Sequence, residues 1–543
     1  MLKRITLWLA VWWLWIPAVF GILWLITHAL FGGFGVATET WNLFWQNNIL
    51  NHGGILWVYL IIGAIGSLII IGMVAVDEDS DSGNGSVVIT VVLALALLIV
   101  STVAGINYQW SSDKNLARYY NSATTFYTPS LDNPPAALQY LLKDGVKQPS
   151  GCTVSASSDV PNCVKVGTMP TAGFDARSSS AAGAVLAMQR TSGSTQNVDL
   201  LTDTLTYLHG KNAWSAIRDG SGNSAHTEGV VEWTGSGIPT ECYFSGKDEL
   251  AKAITGAHTN SLSNMMAKQY PNLYWTMSDV YGYCDAGHPV LVFLMRQQTK
   301  YLNRTLDTAG GVVEVRGSAS GAPVFTHLTK PDNLPGPSYP MTVADDQLQA
   351  NTWAAGRSFK DHGLFGFATD DKGDGDFQLQ SKTDGHTYWV TPLTLTSSQS
   401  QLFIAYAMVR ADQVTAGQLN PMSIYVLAAD SIQRINIDSL EASAKDYLSQ
   451  QVPGFFSSGG QLVNYTPTSG DVWRAFAEIN GRVVYRLDLS ASNAIQPVLV
   501  SLENFGGTSP AAQNANAACG TPVAQLSQAQ IAACLKAFAG ALS

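Results

Sequence analysis

Positive charge is scarce at the start of this chain. Residues 1–106 carry only Lys3 and Arg4 as bases, beside Glu39 and the acids Asp77, Glu78, Asp79 and Asp81. The remainder holds 28 bases and 35 acids, a formal charge of about −7. Nucleic-acid binding requires a basic face, so this composition predicts no nucleic-acid partner. Cysteine is missing before residue 152, and no pair has Cys-x-x-Cys spacing. The chain has no His-Glu-x-x-His, no Gly-x-Ser-x-Gly elbow and no phosphate-binding Gly-x-x-x-x-Gly-Lys-Ser/Thr loop. Local motifs therefore name no catalytic residue, no metal ligand and no cofactor.

What is present first is hydrophobic. Three apolar stretches, about Ile5–Leu30, Ile55–Val76 and Val87–Ile106, contain no charged residue. Each supplies the roughly 20 residues that a helix needs to cross about 30 Å of hydrocarbon. The first is too long for a signal peptide, and Thr27–His28–Ala29 is a poor cleavage site. It carries Trp8, Trp12, Trp13, Trp15 and Trp24, which read as bulky filling, and Pro17, which bends it. Residues 38–48, with Trp41, Phe44 and Trp45, read as an interfacial helix. Gly63 and Gly66 permit close helix packing. The expectation is a bundle of three transmembrane helices at 1–106. Lys3 and Arg4 place the N-terminus in the cytoplasm, so residues 107–543 would be extracytoplasmic, at a cell membrane.

The six cysteines, Cys152, Cys163, Cys242, Cys284, Cys519 and Cys534, all follow these stretches. An even number confined to one region suggests disulfides in an oxidising compartment. Sequence order pairs them as Cys152–Cys163, Cys242–Cys284 and Cys519–Cys534, one of fifteen formal connectivities.

Beyond the apolar stretches the pattern is mixed α/β, rich in antiparallel strands. Residues 107–227 read as a connector and disulfide-pinned loop, with short helices at Asn115–Tyr120 and Ala137–Leu142. Residues 197–208 read as a helix through Val198, Leu200, Leu201, Leu205 and Leu208. Residues 228–350 form a first α/β unit. Its strands are predicted at Val230–Trp233, Cys242–Phe244, Val280–Cys284, Pro289–Met295 and Gly311–Arg316. Its helices are predicted at Asp248–Thr255, at Leu262–Tyr270 capped by Ser261 or Asn260, and from Ala344 to Ala354. The unbroken apolar run Pro289–Met295 predicts a strand covered on both faces. Residues 351–455 form a second unit, with strands at Leu364–Ala368, Phe377–Leu379, Thr387–Pro392, Gln401–Val409 and Met422–Val426 and an amphipathic helix at Asp438–Ser449. Residues 456–505 form a hairpin unit, in which Asn480–Gly481 fits a type I′ turn between Val472–Ile479 and Arg482–Leu489. Gly506–Ala518 reads as a flexible segment before a helix at Ala524–Leu542. The turns near Asp285–His288, Asp384–His386 and Asn480–Gly481 each precede an apolar strand; they are either divergent repeats or ordinary hairpins.

Candidate chemistry is sparse. Asp370, Asp371, Asp374 and Asp376 crowd one loop, but as an EF-hand it has Lys372 and Ser381 where ligands belong. A solvated acidic turn is the reading. His209, His226, His258, His288, His327, His362 and His386 form no local ligand set, although Asp361 precedes His362. Trp233, Tyr274, Trp275, Tyr281, Tyr283, Tyr388 and Trp389 offer stacking surfaces for sugars or proteins, or sheet packing, which aromatics favour. The functional expectation is a membrane-anchored extracytoplasmic structural or partner-binding protein of a cell envelope. Its partners would be the lipid bilayer and protein partners or a homo-oligomer. The alternative is an extracytoplasmic hydrolase acting on envelope material, and the weight lies against an enzyme.

Overall fold

The structure is a computed structural model. It describes residues 118–129, 164–167, 181–191, 198–220, 225–254 except 236, 256, 260–354, 364–366, 377–382, 385–395, 405–426, 437–469, 472–479, 482–490 and 497–501, with short scattered stretches before 118. These residues form a mixed α/β structure built on four sheets.

The first sheet has the order β3-β4-β5-β6, from Val198–Leu208, Ala213–Gly220, Thr227–Trp233 and Thr240–Tyr243. The second joins β7 (Leu273–Tyr274), β8 (Val280–Asp285), β9 (His288–Tyr301), β10 (Arg304–Arg316) and β11 (Val324–Leu328). The third has seven strands, β12 (Leu364–Gly366), β13 (Gln378–Ser381), β14 (Thr387–Leu395), β15 (Ala405–Arg410), β16 (Met422–Val426), β1 (Thr124–Thr128) and β2 (Val164–Val166). In this sheet β1 runs parallel to both β16 and β2, and the other pairings are antiparallel. The fourth is the meander β17 (Gly460–Ser469), β18 (Val472–Ile479), β19 (Arg482–Ser490) and β20 (Val498–Ser501). Four helices are described in full: α1 (Ala181–Thr191), α2 (Leu262–Gln269), α3 (Met341–Ala354) and α4 (Ile437–Gln451).

The alternation of strand side chains stacks these sheets in layers. Along β9, Leu291, Phe293 and Met295 enter a core with Ile217 and Val230 of the first sheet. Val290, Val292 and Leu294, on the opposite face, enter a core with Trp389, Ala407 and Ile424 of the third. This is why Pro289–Met295 is unbroken in the sequence: all seven residues are buried, and a strand covered on both faces has no polar side. The third sheet repeats the device. Ala405, Ala407 and Val409 of β15 face the second sheet, while Tyr406 and Met408 pack on Leu440, Ala444 and Leu448 of α4 and on Trp473 of β18. Burial of one such aliphatic side chain contributes roughly 1.5–3 kcal/mol, so a one-residue slip of either strand would disturb two cores at once.

Cys242 on β6 and Cys284 on β8 form a disulfide with Cα atoms 5.9 Å apart, as sequence order suggested. It ties the first sheet to the second within their shared core. Cys152, Cys163, Cys519 and Cys534 lie outside the described residues.

The membrane architecture is not upheld. Among the described residues no helix is long and apolar enough to cross a membrane. The longest of the four helices described in full, α4, has 15 residues, about 23 Å at 1.5 Å each, and carries Glu441, Lys445 and Asp446 on its surface. The three apolar stretches of 1–106 lie almost wholly outside the described residues. Hydropathy reports what the side chains would gain in lipid; a span also needs one continuous helix of matching length. Without the three-helix transmembrane bundle, the lipid bilayer is not supported as a partner. The multi-pass cell-membrane localisation falls with it, because no described helix supplies a crossing. The membrane-anchored envelope function, its protein partners or homo-oligomer, and the extracytoplasmic hydrolase alternative all depended on that placement and are withdrawn.

Local readings changed in two other places. Residues 198–208 are strand, not helix. Thr202, Thr204 and Thr206 interleave with the leucines, and pairing with β4 decides in favour of the extended form. Asp248–Thr255 gives only a 3-10 turn at Gly246–Asp248, followed by irregular chain with an isolated bridge at Ala253. Helix α2 forms as expected, its N-terminus capped by the Ser261 side chain accepting from the Asn264 amide at 3.2 Å. The acidic loop 370–376, with Asp361, His258 and His362, lies outside the described residues.

Candidate functional site: a polar cleft where four turns meet

The stacking of the second and third sheets brings four loops to one end of their common core. There they enclose a cleft of about 660 Å³. The β3–β4 turn contributes His209, Gly210 and Lys211, and the β8–β9 turn contributes Asp285 and Ala286. The loop before α3 contributes Asn333, Leu334 and Pro335, and the ends of β14 and β15 contribute His386, Arg410 and Asp412.

Each turn is held by backbone chemistry. The Gly210 amide donates to Pro335 O at 3.0 Å. A Cβ at Gly210 would lie 3.1 Å from Pro335 Cα, so this approach favours glycine. Ala286 and Gly287 both have positive φ, at 49° and 88°. That is the type I′ pattern of a two-residue hairpin, with alanine in a conformation that asparagine or glycine adopts more readily. His386 and Arg410 become neighbours through the antiparallel register that sets Tyr388 opposite Arg410.

The side chains form two charge clusters. In one, Lys211 Nζ donates to Glu232 Oε1 at 2.7 Å and to the Cys284 carbonyl, while the Cys284 amide donates to Glu232 Oε1 at 2.7 Å. The ammonium also stands 5.7 Å from the Tyr283 ring centre. Burial, then the charge of Glu314 and a hydrogen bond to it, push the Tyr283 phenol well above its ordinary value, so it stays neutral. In the other, Arg410 Nε donates to Asp412 Oδ1 at 2.6 Å, and Arg410 Nη2 stands 2.6 Å from His386 Nδ1. The same Nδ1 is 3.0 Å from Asp412 Oδ2. Burial pushes the Asp412 carboxyl up, but hydrogen bonds and charge from Arg410 and His386 outweigh it and hold the group below its ordinary value. His209 carries a buried Nδ1 with no hydrogen-bond partner. Burial pulls its imidazole below the ordinary value, and the Asp412 charge offsets this only in part.

Of the seven histidines considered from sequence, the fold brings His209 and His386 to this cleft. His288 pairs instead with Asp248 at 2.7 Å on the surface, and His327 meets the Gly310 carbonyl at 2.7 Å. His226 is exposed. Most of the aromatic candidates serve cores: Trp233, Tyr274, Trp275, Tyr281 and Trp389 are buried. Trp389 donates from Nε1 to Tyr339 O at 2.8 Å, while Tyr388, on the opposite face, lies under the Lys382 ammonium. Lys211, Glu232, Arg410 and Asp412 had no sequence signal. Only the Ala-Gly turn at 286–287 and Gly385 marked loops where a site could be built.

A second ionisable cluster lies under α3. Asp279 is buried, accepting from the Met341 amide at 2.8 Å and from the Thr342 hydroxyl at the start of that helix. Arg296, Asp307 and Asp346 surround it electrostatically. Among the described residues no group of three or more His, Cys, Asp or Glu side chains is arranged to hold a metal ion.

Comparison with protein-family models, with curated proteins and with solved structures finds no match.

Proposed function

We propose that this protein binds a small oxyanionic ligand, a carboxylate or a phosphate ester, in the cleft between the β3–β4, β8–β9 and β14–β15 ends. The observation that carries this reading is the convergence of Lys211, Arg410, His209 and His386 from sequence-distant turns on one opening of about 660 Å³. That volume suits a small molecule. The wall is close to neutral: Lys211 is matched by Glu232, Arg410 by Asp412, and Asp285 by Arg316 at 3.0 Å. The hydrogen-bond balance is not neutral. A guanidinium has five N–H donors, and Asp412 and His386 engage two of those on Arg410. The rest, with Lys211 and the imidazoles, present a donor-rich surface, and a planar guanidinium matches a carboxylate or phosphate edge.

The reading is of binding rather than catalysis. Among the described residues the lining offers no serine or threonine, Cys284 is in a disulfide, and Asp412 is held below its ordinary value by its hydrogen-bonded neighbours. Calorimetric titration of the full chain with sulfate and with oxalate tests the proposal. Binding of at least one is expected, weakened at least tenfold by Arg410→Gln, about the 1.5–3 kcal/mol of a charge-assisted hydrogen bond. Absence of binding by either anion at millimolar concentration would refute it.

A further inference from the structure

The contacts of His386 Nδ1 make two incompatible demands. Arg410 Nη2, at 2.6 Å, is a donor, and needs Nδ1 bare. Asp412 Oδ2, at 3.0 Å, is an acceptor, and needs Nδ1 to carry hydrogen. One imidazole nitrogen cannot satisfy both, because the neutral ring has either a lone pair or a hydrogen at that atom. The neutral ring with hydrogen on Nε2 meets the first demand, and adding one proton, at Nδ1, gives a ring that meets the second. With Nδ1 bare, Arg410 is bound to His386 and the Asp412 oxygen faces a lone pair. With Nδ1 protonated, His386 donates to Asp412 and Arg410 Nη2 loses its acceptor. Arg410 Nε keeps its bond to Asp412 Oδ1 in both.

We infer that protonation of His386 switches its partner from Arg410 to Asp412 and so arms the cleft for an anion, making anion binding proton-coupled. This rests on the anion-binding reading above and adds its regulation. Two changes act together. The cluster of His386, Arg410 and Asp412 goes from zero to one positive charge, and an N–H of Arg410 becomes available to the ligand. Imidazole is the side chain whose ordinary titration falls in the physiological range. The charged and titratable groups facing it are Arg410 at the end of β15 and Asp412 just beyond it, His209 and Lys211 of the β3–β4 turn, Asp285 and Tyr283 of β8, and Lys382 of its own turn. Lys211 and Asp285 are paired with Glu232 and Arg316, and burial pulls the His209 imidazole below its ordinary value. His386, with 42% of its side chain exposed, can exchange its proton with solvent.

By linkage, an anion that binds only the protonated state takes up a proton, and its affinity falls by up to about tenfold per pH unit once that state is the minor one. Sulfate is the probe, because it does not itself titrate between pH 6 and 8. Calorimetry at pH 6.5 in two cationic buffers of different ionisation enthalpy counts the protons. Wild type is expected to take up protons on binding sulfate, and to bind at least tenfold more weakly at pH 8 than at pH 6. His386→Gln abolishes the uptake and flattens the pH dependence, whereas His288→Gln, outside the cleft, still takes up the proton. Sulfate binding with equal affinity at both pH values and no proton uptake would overturn the switch and leave the site standing. No binding at either pH would remove the site reading and the switch with it. Imidazole nitrogen shifts give a readout without ligand: at high pH His386 should be the tautomer with hydrogen on Nε2, and the opposite tautomer would refute the mechanism.

Discussion

Replacing Asp346 with asparagine should stabilise this protein, and more so as pH rises. Asp346 sits on α3 over Arg296, Asp307 and Asp279. Burial raises its carboxyl, Arg296 lowers it, and the two neighbouring carboxylates raise it again, so it is pushed up to about 7. In an unfolded chain it would return to an ordinary 3.8. The folded state thus holds the proton more tightly. The contribution of this group to stability is greatest below about pH 4, declines as pH rises toward 7, and is flat above that. The separation from 3.8 to about 7 corresponds to about 4 kcal/mol at pH 8. Asp346 keeps part of its surface in contact with water, which screens the charge, so about 2 kcal/mol is the working expectation. Asparagine keeps the shape and removes the charge. Urea unfolding of wild type and Asp346→Asn at pH 4.5, 6 and 8, followed by tryptophan fluorescence, should show the two curves separating with pH: a small difference at 4.5 and a higher midpoint for the variant at 8. Taking the difference between the proteins cancels every other titrating group whose environment is unchanged. A variant no more stable than wild type at pH 8, with a parallel pH dependence, would show that Arg296 already neutralises the site and that the burial argument is wrong.

Loss of the Cys242–Cys284 bond as the double alanine variant should cost about 4 kcal/mol, since it closes a loop of 42 residues between two sheets; a midpoint shift in denaturant measures it, and no shift would mean that sheet packing alone holds β6 on β8. Ala286→Gly should stabilise by about 0.5–1 kcal/mol by relieving a positive φ in the β8–β9 turn. A lower midpoint for that variant would mean that the alanine methyl contributes packing greater than this cost.

The second and third sheets were legible where burial on two faces leaves a mark in the chain. Val290–Met295 and Ala405–Val409 are uninterrupted because the two sets of alternate residues enter different cores. The hairpin of β18 and β19 was legible for a local reason, because Ile479 pairs with Arg482 across two turn residues. Strand β1 was not. Thr124–Thr128 is too short and too polar to be separated from a connector, and its parallel pairing with β16 joins residues about 300 apart in sequence. Strand β3 was misread because five apolar residues satisfy a helical stripe as well as a bulged strand. The three apolar stretches of 1–106 lie almost wholly outside the described residues, and no described helix supports the spans read from them. Run length measures the affinity of side chains for a nonpolar medium, and that affinity does not specify a membrane-crossing helix.

The candidate site shows the same division. Its histidines were visible as residue types, yet nothing adjacent to His386 in sequence distinguishes it from His288. The pairing of β14 with β15 gives His386 a guanidinium and a carboxylate, whereas His288 meets Asp248 and Lys247. By itself the sequence pointed to the mixed α/β class, the two-faced strand at Pro289–Met295, a cap for α2 at Ser261 or Asn260 and the Cys242–Cys284 pairing, all of which follow from local conformation, alternation or cysteine order. Tertiary structure alone decided which turns converge, because a binding cleft is a set of through-space distances between residues as far apart as His209 and Asp412. Those distances are fixed by sheet stacking, and no local stretch of chain encodes them.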